Sequence, residues 1–243
     1  MIASRLDHTM PTIAEDLALD EALLIEVDEA RGPTALRFWE PRELAVVLGA
    51  SGKLSEDVHR DQVDVDGVTL ARRSSGGGTV IIGPGVLNVT VILANDAAPG
   101  LDGIVSAQAY VLERLAEAMR SLGSPVTVKG SGDLTIEGRK FAGSAQRRLR
   151  NHFFVHVSIL NTFDLSLIPR YLAEPQRRPD YRESRPHEHF LTRLNLNIDL
   201  LKSAIARSWF PEKTMIPTTP LPLQLVRALM EERFGEQSWV ERF

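Results

Sequence analysis

Ala71-Arg72-Arg73-Ser74-Ser75-Gly76-Gly77-Gly78-Thr79-Val80 is the stretch from which the rest of the chain can be read. Three successive glycines let a backbone approach a ligand closely and turn consecutive N–H groups toward one anion. Arg72 and Arg73, just upstream, can neutralise a phosphate or carboxylate or fork onto it. The same residues also suit a plain flexible loop with its arginines in solvent. No Gly-Lys-Ser/Thr follows, and the Gly-x-Gly-x-x-Gly spacing is absent, so neither a Walker loop nor a dinucleotide fingerprint is present.

Working outward, residues 68–73 and 79–82 are short strand-like runs, and Gly83-Pro84-Gly85 separates the second from another at 86–93. Upstream, Thr12 and Glu15 have the spacing of a capping box, and Leu17, Ala18, Glu21, Ala22, Leu24 and Ile25 carry a helix toward Ala30, where Gly32-Pro33 ends it. Residues 34–39 and 44–48, joined by a turn at Pro41, read as a β-hairpin. Downstream, Ala107, Val111, Leu115 and Ala118 recur at helical intervals, with Gly123 as the cap. Strand runs at 126–129, 134–136, 140–146 and 153–160 imply a second section of sheet, with a tight turn at Glu137-Gly138. Helical segments at 166–173, 199–209 and 221–234 follow, the last two separated by a proline-rich stretch at 211–222. Residues 174–189, dense in Arg, Pro and Glu, read as an exposed connection. Helices at both ends of a strand-rich middle predict an α+β (mixed α/β) architecture in a single domain over residues 1–243, with helices flanking a mixed sheet.

With 43% hydrophobic and 25% charged residues the composition is that of an ordinary globular protein, and a formal net charge of −4 argues against a nucleic-acid partner. The absence of cysteine removes disulfides, thiolate metal sites and any cysteine nucleophile. His152, His156, His187 and His189 lack the spacing of a zinc ligand set, and the last two read as part of a solvated loop. No signal-peptide pattern opens the chain and no apolar run approaches the roughly 20 residues that span a bilayer, so a cytoplasmic location without membrane association is expected.

A second motif runs Lys129-Gly130-Ser131-Gly132-Asp133-Leu134, then Gly138-Arg139-Lys140-Phe141-Ala142-Gly143-Ser144-Ala145-Gln146-Arg147. A lysine among small residues beside a sheet can reach a phosphate or acyl oxygen as a point charge, and Asp133 is a hard oxygen ligand suited to Mg²⁺. Taken singly, a solvated lysine and a turn aspartate read as well.

The run from Arg72 to Gly78 and on to Leu87-Asn88 resembles the Arg-Arg-x-Ser-Gly-Gly-Gly…Leu-Asn block of lipoate-protein ligases and their octanoyltransferase relatives. The run from Gly138 to Arg147 resembles that family's Gly-x-Lys-x-x-Gly-Ser-Ala-Gln-Arg block. Residues 16–24, Phe38-Trp39-Glu40-Pro41, 182–194 and Gln237-Ser238-Trp239 are similar to further family segments, so the likeness covers nearly the whole catalytic domain.

The resemblance implies a fold shared with biotin-protein ligases. It also implies a two-step reaction in which ATP and lipoate, or octanoate, form an acyl adenylate that a carrier lysine then attacks. It assigns Lys140 to catalysis. Arg72, Arg73, Ser75, Gly76, Gly77, Gly78, Asn88, Asp133, Gly143, Ser144, Ala145 and His156 go to substrate and nucleotide binding, with Asp133 also as the Mg²⁺ ligand. The expected partner is a lipoyl carrier domain, of the glycine-cleavage H protein or 2-oxoacid dehydrogenase E2 type. The chain stops where some ligases add an accessory domain, so a separate accessory protein is a further expected partner. A cysteine-independent octanoyl or lipoyl transferase and a degenerate lipoyl- or nucleotide-binding protein are the alternatives. The family often carries His where this chain has Ile82, Asn where it has Gly132, and His-Gly where it has His156-Val157. Each lost polar contact is worth about 0.5–1.5 kcal/mol.

Overall fold

The computed structural model describes residues 2–30, 34–175, 178–210 and 221–243. The Gly32-Pro33 stop and the proline-rich stretch through residue 220 lie outside them. The chain opens on strand β1 (Ile2–Asp7), which the sequence reading did not separate from the helix that follows. Thr12 and Glu15 then cap each other. The Glu15 amide donates to Thr12 Oγ1 at 3.2 Å and the Thr12 amide to Glu15 Oε2 at 3.0 Å, starting helix α1 (Ile13–Ala30).

Strand β2 (Thr34–Trp39) and strand β3 (Ala45–Leu48) are adjacent in sequence but are not the expected hairpin. Both edges of β2 are taken, by β1 in parallel and by β6 (Val86–Ala94) antiparallel. β3 instead sits between β4 (Thr69–Arg72) and β5 (Val80–Ile82), so the glycine loop bridges two strands that flank a third. Short helices α2 (Leu54–Asp57) and α3 (Arg60–Asp66), absent from the sequence reading, fill the crossover from β3 to the parallel β4.

Helix α4 (Ile104–Arg120) forms as its periodicity dictates, and Gly123 takes φ 87° just beyond it. Strands β7 (Val126–Lys129), β8 (Asp133–Ile136), β9 (Arg139–Arg148) and β10 (His152–Leu160) extend the sheet of β1, β2 and β6 rather than forming a second one. The order is β1-β2-β6-β10-β9-β8-β7. After it come α5 (Leu167–Tyr171), α6 (His187–Phe190), α7 (Ile198–Trp209), α8 (Leu223–Leu229), a π turn over Met230–Phe234, and α9 (Gln237–Val240).

Strand alternation divides two cores. Leu87, Val89, Val91, Val155, Val157 and Ile159 face α4 and α7 on one side of the seven-stranded sheet. Trp39, Ile92 and Phe154 face α1, α8 and the three-stranded sheet on the other. Val226, Leu229 and Phe234 bury the apolar face of the last long segment in this second core. The result is the expected α+β layer arrangement. No described helix is long and apolar enough to cross a membrane.

Candidate active site

Glu137 and Gly138, at φ 53° and 72°, make the tight turn between β8 and β9 and so bring the lysine motif back on itself. Lys140 Nζ lies 2.6 Å from Asp133 Oδ1, and the Tyr181 hydroxyl donates to Asp133 Oδ2 at 2.6 Å. A Cβ at residue 143 would stand 2.9 Å from Lys140 Nζ and 3.0 Å from Cε. Glycine there lets the lysine lie flat across β9.

The glycine loop is strung between carbonyl staples. Arg73 donates through Nη2 to the carbonyls of Gly76 at 2.6 Å and Gly78 at 2.7 Å, and through Nη1 to that of Val47 at 3.3 Å. Arg72 donates to the carbonyls of Gly49, Gly52, Trp239 and Val240. Neither guanidinium is ion-paired to a carboxylate among the described residues, although the charge of Asp57 acts on Arg72, and burial lowers the pKa of Arg73 to about 10. Arg73 is therefore a buried positive charge facing only carbonyl dipoles.

Between these two motifs opens a cleft of about 330 Å³. Asp133, Lys140, Gly143, Ser144 and Ala145 line one wall, and Arg73 and Gly78 line another. Asn88 and His156 come up from the sheet. Arg72, Ser75, Gly76 and Gly77 do not line it, although Ala145 Cβ would be 3.7 Å from a Cβ on Gly77. Trp39, Asn88 and Ser158 are cross-strand neighbours on β2, β6 and β10 and also line the cleft. Ser158 Oγ donates to Asn88 Oδ1 at 2.6 Å, leaving Asn88 Nδ2 and Trp39 Nε1 as buried donors without a protein partner. Ile82, Leu160 and Ile168 supply apolar wall around them.

The connection at 174–189 is not simply exposed. Arg182 and His187 are buried and line the cleft together with Phe190. Glu174 ties them: Arg182 Nη2 donates to Oε2 at 2.6 Å, and His187 Nδ1 lies 3.0 Å from Oε1. Desolvation holds His187 below the usual imidazole range. The expectation of a solvated loop thus fails for His187, while His189 is exposed as expected. The sequence reading missed the roles of Tyr181 and Arg182 because their partners, Asp133 and Glu174, carry no local pattern that marks them.

Beneath the glycine loop, Ser75 Oγ lies 2.6 Å from His156 Nε2, and His156 Nδ1 lies 3.5 Å from Asp20 Oδ2. Asp20, missed as a site residue, belongs with Asp16 to one stripe of α1. Two acids four residues apart among Ile13, Leu17 and Leu24 are the signal that could have found them.

The three departures differ in consequence. Ile82 is buried in the cleft wall. At Gly132 the missing side chain's place is occupied, since a Cβ would stand 2.7 Å from Gln108 Nε2, and that amide donates to Ser144 Oγ at 2.6 Å. Val157 points into the core on the opposite face of β10 and does not line the cleft. Among the described residues no group of three or more His, Asp or Glu could hold a metal ion.

Residues 12–205 match the family model described as the lipoyl protein ligase A/B catalytic domain. A probable lipoate-protein ligase A from Mycoplasma pneumoniae is 29% identical over 155 residues, 64% of this chain and 44% of that protein, so the alignment spans less than half of that relative. Octanoyltransferase LipM from Symbiobacterium thermophilum is 25% identical over 264 residues, 93% of each. A lipoate-protein ligase A structure bound with ATP superposes with a TM-score of 0.85 at 22% identity, covering 99% of both chains. The bi-partite lipoate protein ligase of Thermoplasma acidophilum, described with its E2 lipoyl domain, gives 0.84 at 22% identity, covering 99% of this chain and 97% of that one. At that identity the superpositions establish the fold, and with residues 12–205 of the 243 matched by the family model, this protein belongs to the lipoyl protein ligase A/B catalytic-domain family.

Proposed function

We propose that this chain activates a lipoate-like acid with ATP as the acyl adenylate and passes the acyl group to a lysine of a lipoyl carrier domain. The observation that carries the reading is a cleft with Lys140 on one wall and the buried, carboxylate-free Arg73 on another, both beside small residues. In the first step a carboxylate oxygen attacks the α-phosphorus of ATP and pyrophosphate leaves. Charge builds on phosphate oxygens, and pre-placed cations lower that barrier. Lys140 supplies one on the hairpin side, and Arg73 supplies the field on the loop side. In the second step the carrier lysine, as a neutral amine, attacks the acyl carbonyl, and AMP leaves.

Mg²⁺ held with nucleotides commonly takes one or two carboxylates and fills its remaining positions with phosphate oxygens and water. Asp133 fits as its one protein ligand once the Tyr181 hydroxyl gives up Oδ2. The ion would offset phosphate charge. The carrier would be of the H-protein or E2 type, and the bi-partite Thermoplasma relative supports a separate accessory protein as a second partner.

Transfer from an acyl thioester through a cysteine acyl-enzyme is unavailable to a chain without cysteine.

The test incubates the chain with lipoate, ATP, Mg²⁺ and a lipoyl carrier domain, with and without a candidate accessory protein, and follows carrier mass. ATP-dependent acylation is expected. Acylation only from an octanoyl thioester, or nucleotide binding with no product in either mixture, would overturn the reading. Lys140→Ala should abolish ATP–pyrophosphate exchange while circular dichroism stays unchanged, and retained exchange would remove Lys140 from the step.

A further inference from the structure

Ser75, His156 and Asp20 stand at spacings close to those of a nucleophilic triad, with contacts of 2.6 Å and 3.5 Å. Asp20 is fixed from below, accepting from Arg37 Nη1 at 2.5 Å and from Thr90 Oγ1 at 2.7 Å. As a carboxylate it accepts from Nδ1–H. Nε2 is then an acceptor, and the Ser75 hydroxyl donates to it. Desolvation holds His156 below its usual range, which keeps this neutral tautomer at ordinary pH.

One observation decides what the chain of bonds is for. Ser75 is 1% exposed and does not line the cleft, whereas His156 does. An attacking hydroxyl must reach its carbonyl, and this one is sealed. With both ring nitrogens engaged, His156 presents only its carbon edge to a ligand.

What Ser75 does control is the loop that begins at it. The Ser74 carbonyl accepts from Arg147, the Ser75 carbonyl from the Ala50 amide at 2.8 Å, and the Gly76 and Gly78 carbonyls from Arg73. The amides of Gly76, Gly77 and Gly78 find no acceptor among the described residues. The carbonyls are tied back and the N–H groups are left over, which is the arrangement of an anion cradle. Arg73 reaches β3 of the three-stranded sheet, and among the described residues the Ser75 hydroxyl is the loop's side-chain tie to the seven-stranded sheet.

We infer that Asp20, His156 and Ser75 form a positioning relay that holds the triglycine loop, exposed at Gly76 and Gly77 and reaching the cleft at Gly78, in place for the anionic head of the acyl substrate, and that Ser75 is not itself acylated. The inference rests on the adenylation reading for the identity of that anion. Losing the relay frees the loop, so the acid binds less tightly while the chemistry, once bound, proceeds.

The test measures ATP–pyrophosphate exchange against lipoate concentration for the wild type, Ser75→Ala, Ser75→Thr and His156→Leu. Ser75→Ala and His156→Leu should each raise KM for the acid about tenfold, the upper range for one buried neutral hydrogen bond, with kcat changed less than about threefold. Ser75→Thr, which keeps the hydroxyl, should recover most of the loss. Unchanged KM, or a fall in kcat alone, overturns the relay. So does an acyl adduct on Ser75 in the mass of the wild type after incubation with octanoyl thioester. Should the wild type catalyse no exchange, the adenylation reading falls, and calorimetric binding of lipoate still tests the relay: a tenfold weaker Kd in Ser75→Ala supports it, and an equal Kd overturns it.

Discussion

Two carboxylates, Asp16 and Asp20, share the guanidinium of Arg37, and all three side chains are 1% exposed. With both acids ionised the group would carry a buried net negative charge, which is costly in a poorly solvated interior. The strain falls on Asp16. Burial raises it to about 7 from an ordinary 3.8, against the pull of Arg37. For Asp20 burial acts in the same direction, but the charge of Arg37 and the bond from His156 outweigh it and hold its carboxyl below the usual range. The consequence for stability has a definite sign. Between 3.8 and about 7 the folded chain binds the Asp16 proton and the unfolded chain does not. Stability from this group is therefore whole below that window and is lost as pH rises through it. Urea midpoints taken from pH 4.5 to 7.5 should fall more steeply in the wild type than in Asp16→Asn, which keeps an acceptor for the Met10 amide without the charge. Equal slopes would show that Asp16 is ionised throughout. That Lys140, Asp133 and Gly78 would share one cleft was legible, because they sit within two short runs of sequence. Asp20 and Arg37 are another matter, since 17 residues separate them and only folding brings them into contact.

At the scale of elements, the segment 174–189 reads as solvent-exposed because no short-range pattern marks its charges as paired. Some pair within it, as Glu174 does with Arg182, and others reach out: Tyr181 reaches Asp133, and Arg185 donates to the Gly138 carbonyl at 3.1 Å. Phe190 lies under the guanidinium groups of Arg182 and Arg185, at 4.7 Å and 5.4 Å. Thr192 then donates its amide to the Lys140 carbonyl at 2.8 Å, so the far end of the segment is sewn to the β8–β9 hairpin. Phe190 and Leu191 anchor the end of the segment in the core, while polar contacts fasten the part before them, and parts held in that way open at lower cost. Tyr181→Phe removes a bond to a carboxylate worth about 1.5–3 kcal/mol. Trypsin should cut after Arg182 several-fold faster in that variant, and the global urea midpoint should fall as the lost bond raises the folded state. Equal cutting rates would mean that Tyr181 does not fasten the segment. Helices α1 and α4 were legible because periodicity is a local property of sequence. The hairpin expected at 34–48 failed because adjacency in sequence is only a tendency toward pairing, and β2 has two better neighbours.

Across the whole molecule, the parallel pairs β1 with β2 and β3 with β4 are the links that no short window of sequence contains, since each is made over an intervening helical segment. The C-terminal turn closes this arrangement onto the root of the glycine loop. Arg72 donates to the carbonyls of Trp239 and Val240 at 3.0 Å and 2.9 Å, and Trp239 Nε1 donates back to the Arg72 carbonyl at 3.0 Å. The Trp239 ring also packs on Phe234 and beneath Arg242. Arg72 is therefore a brace between the last helix and β4, with no described donor left over for the cleft except a buried, unpartnered Nη2. Trp239→Ala should cost about 2–4 kcal/mol, somewhat less than a fully buried tryptophan, because the ring is only half-buried. Trp239→Phe keeps the packing and loses the bond, and should cost about 1 kcal/mol. If the C-terminal turn holds the loop root in place, Trp239→Ala also weakens binding of the proposed acid substrate at temperatures where the variant is fully folded. Binding unchanged alongside lowered stability would confine Trp239 to holding the fold together.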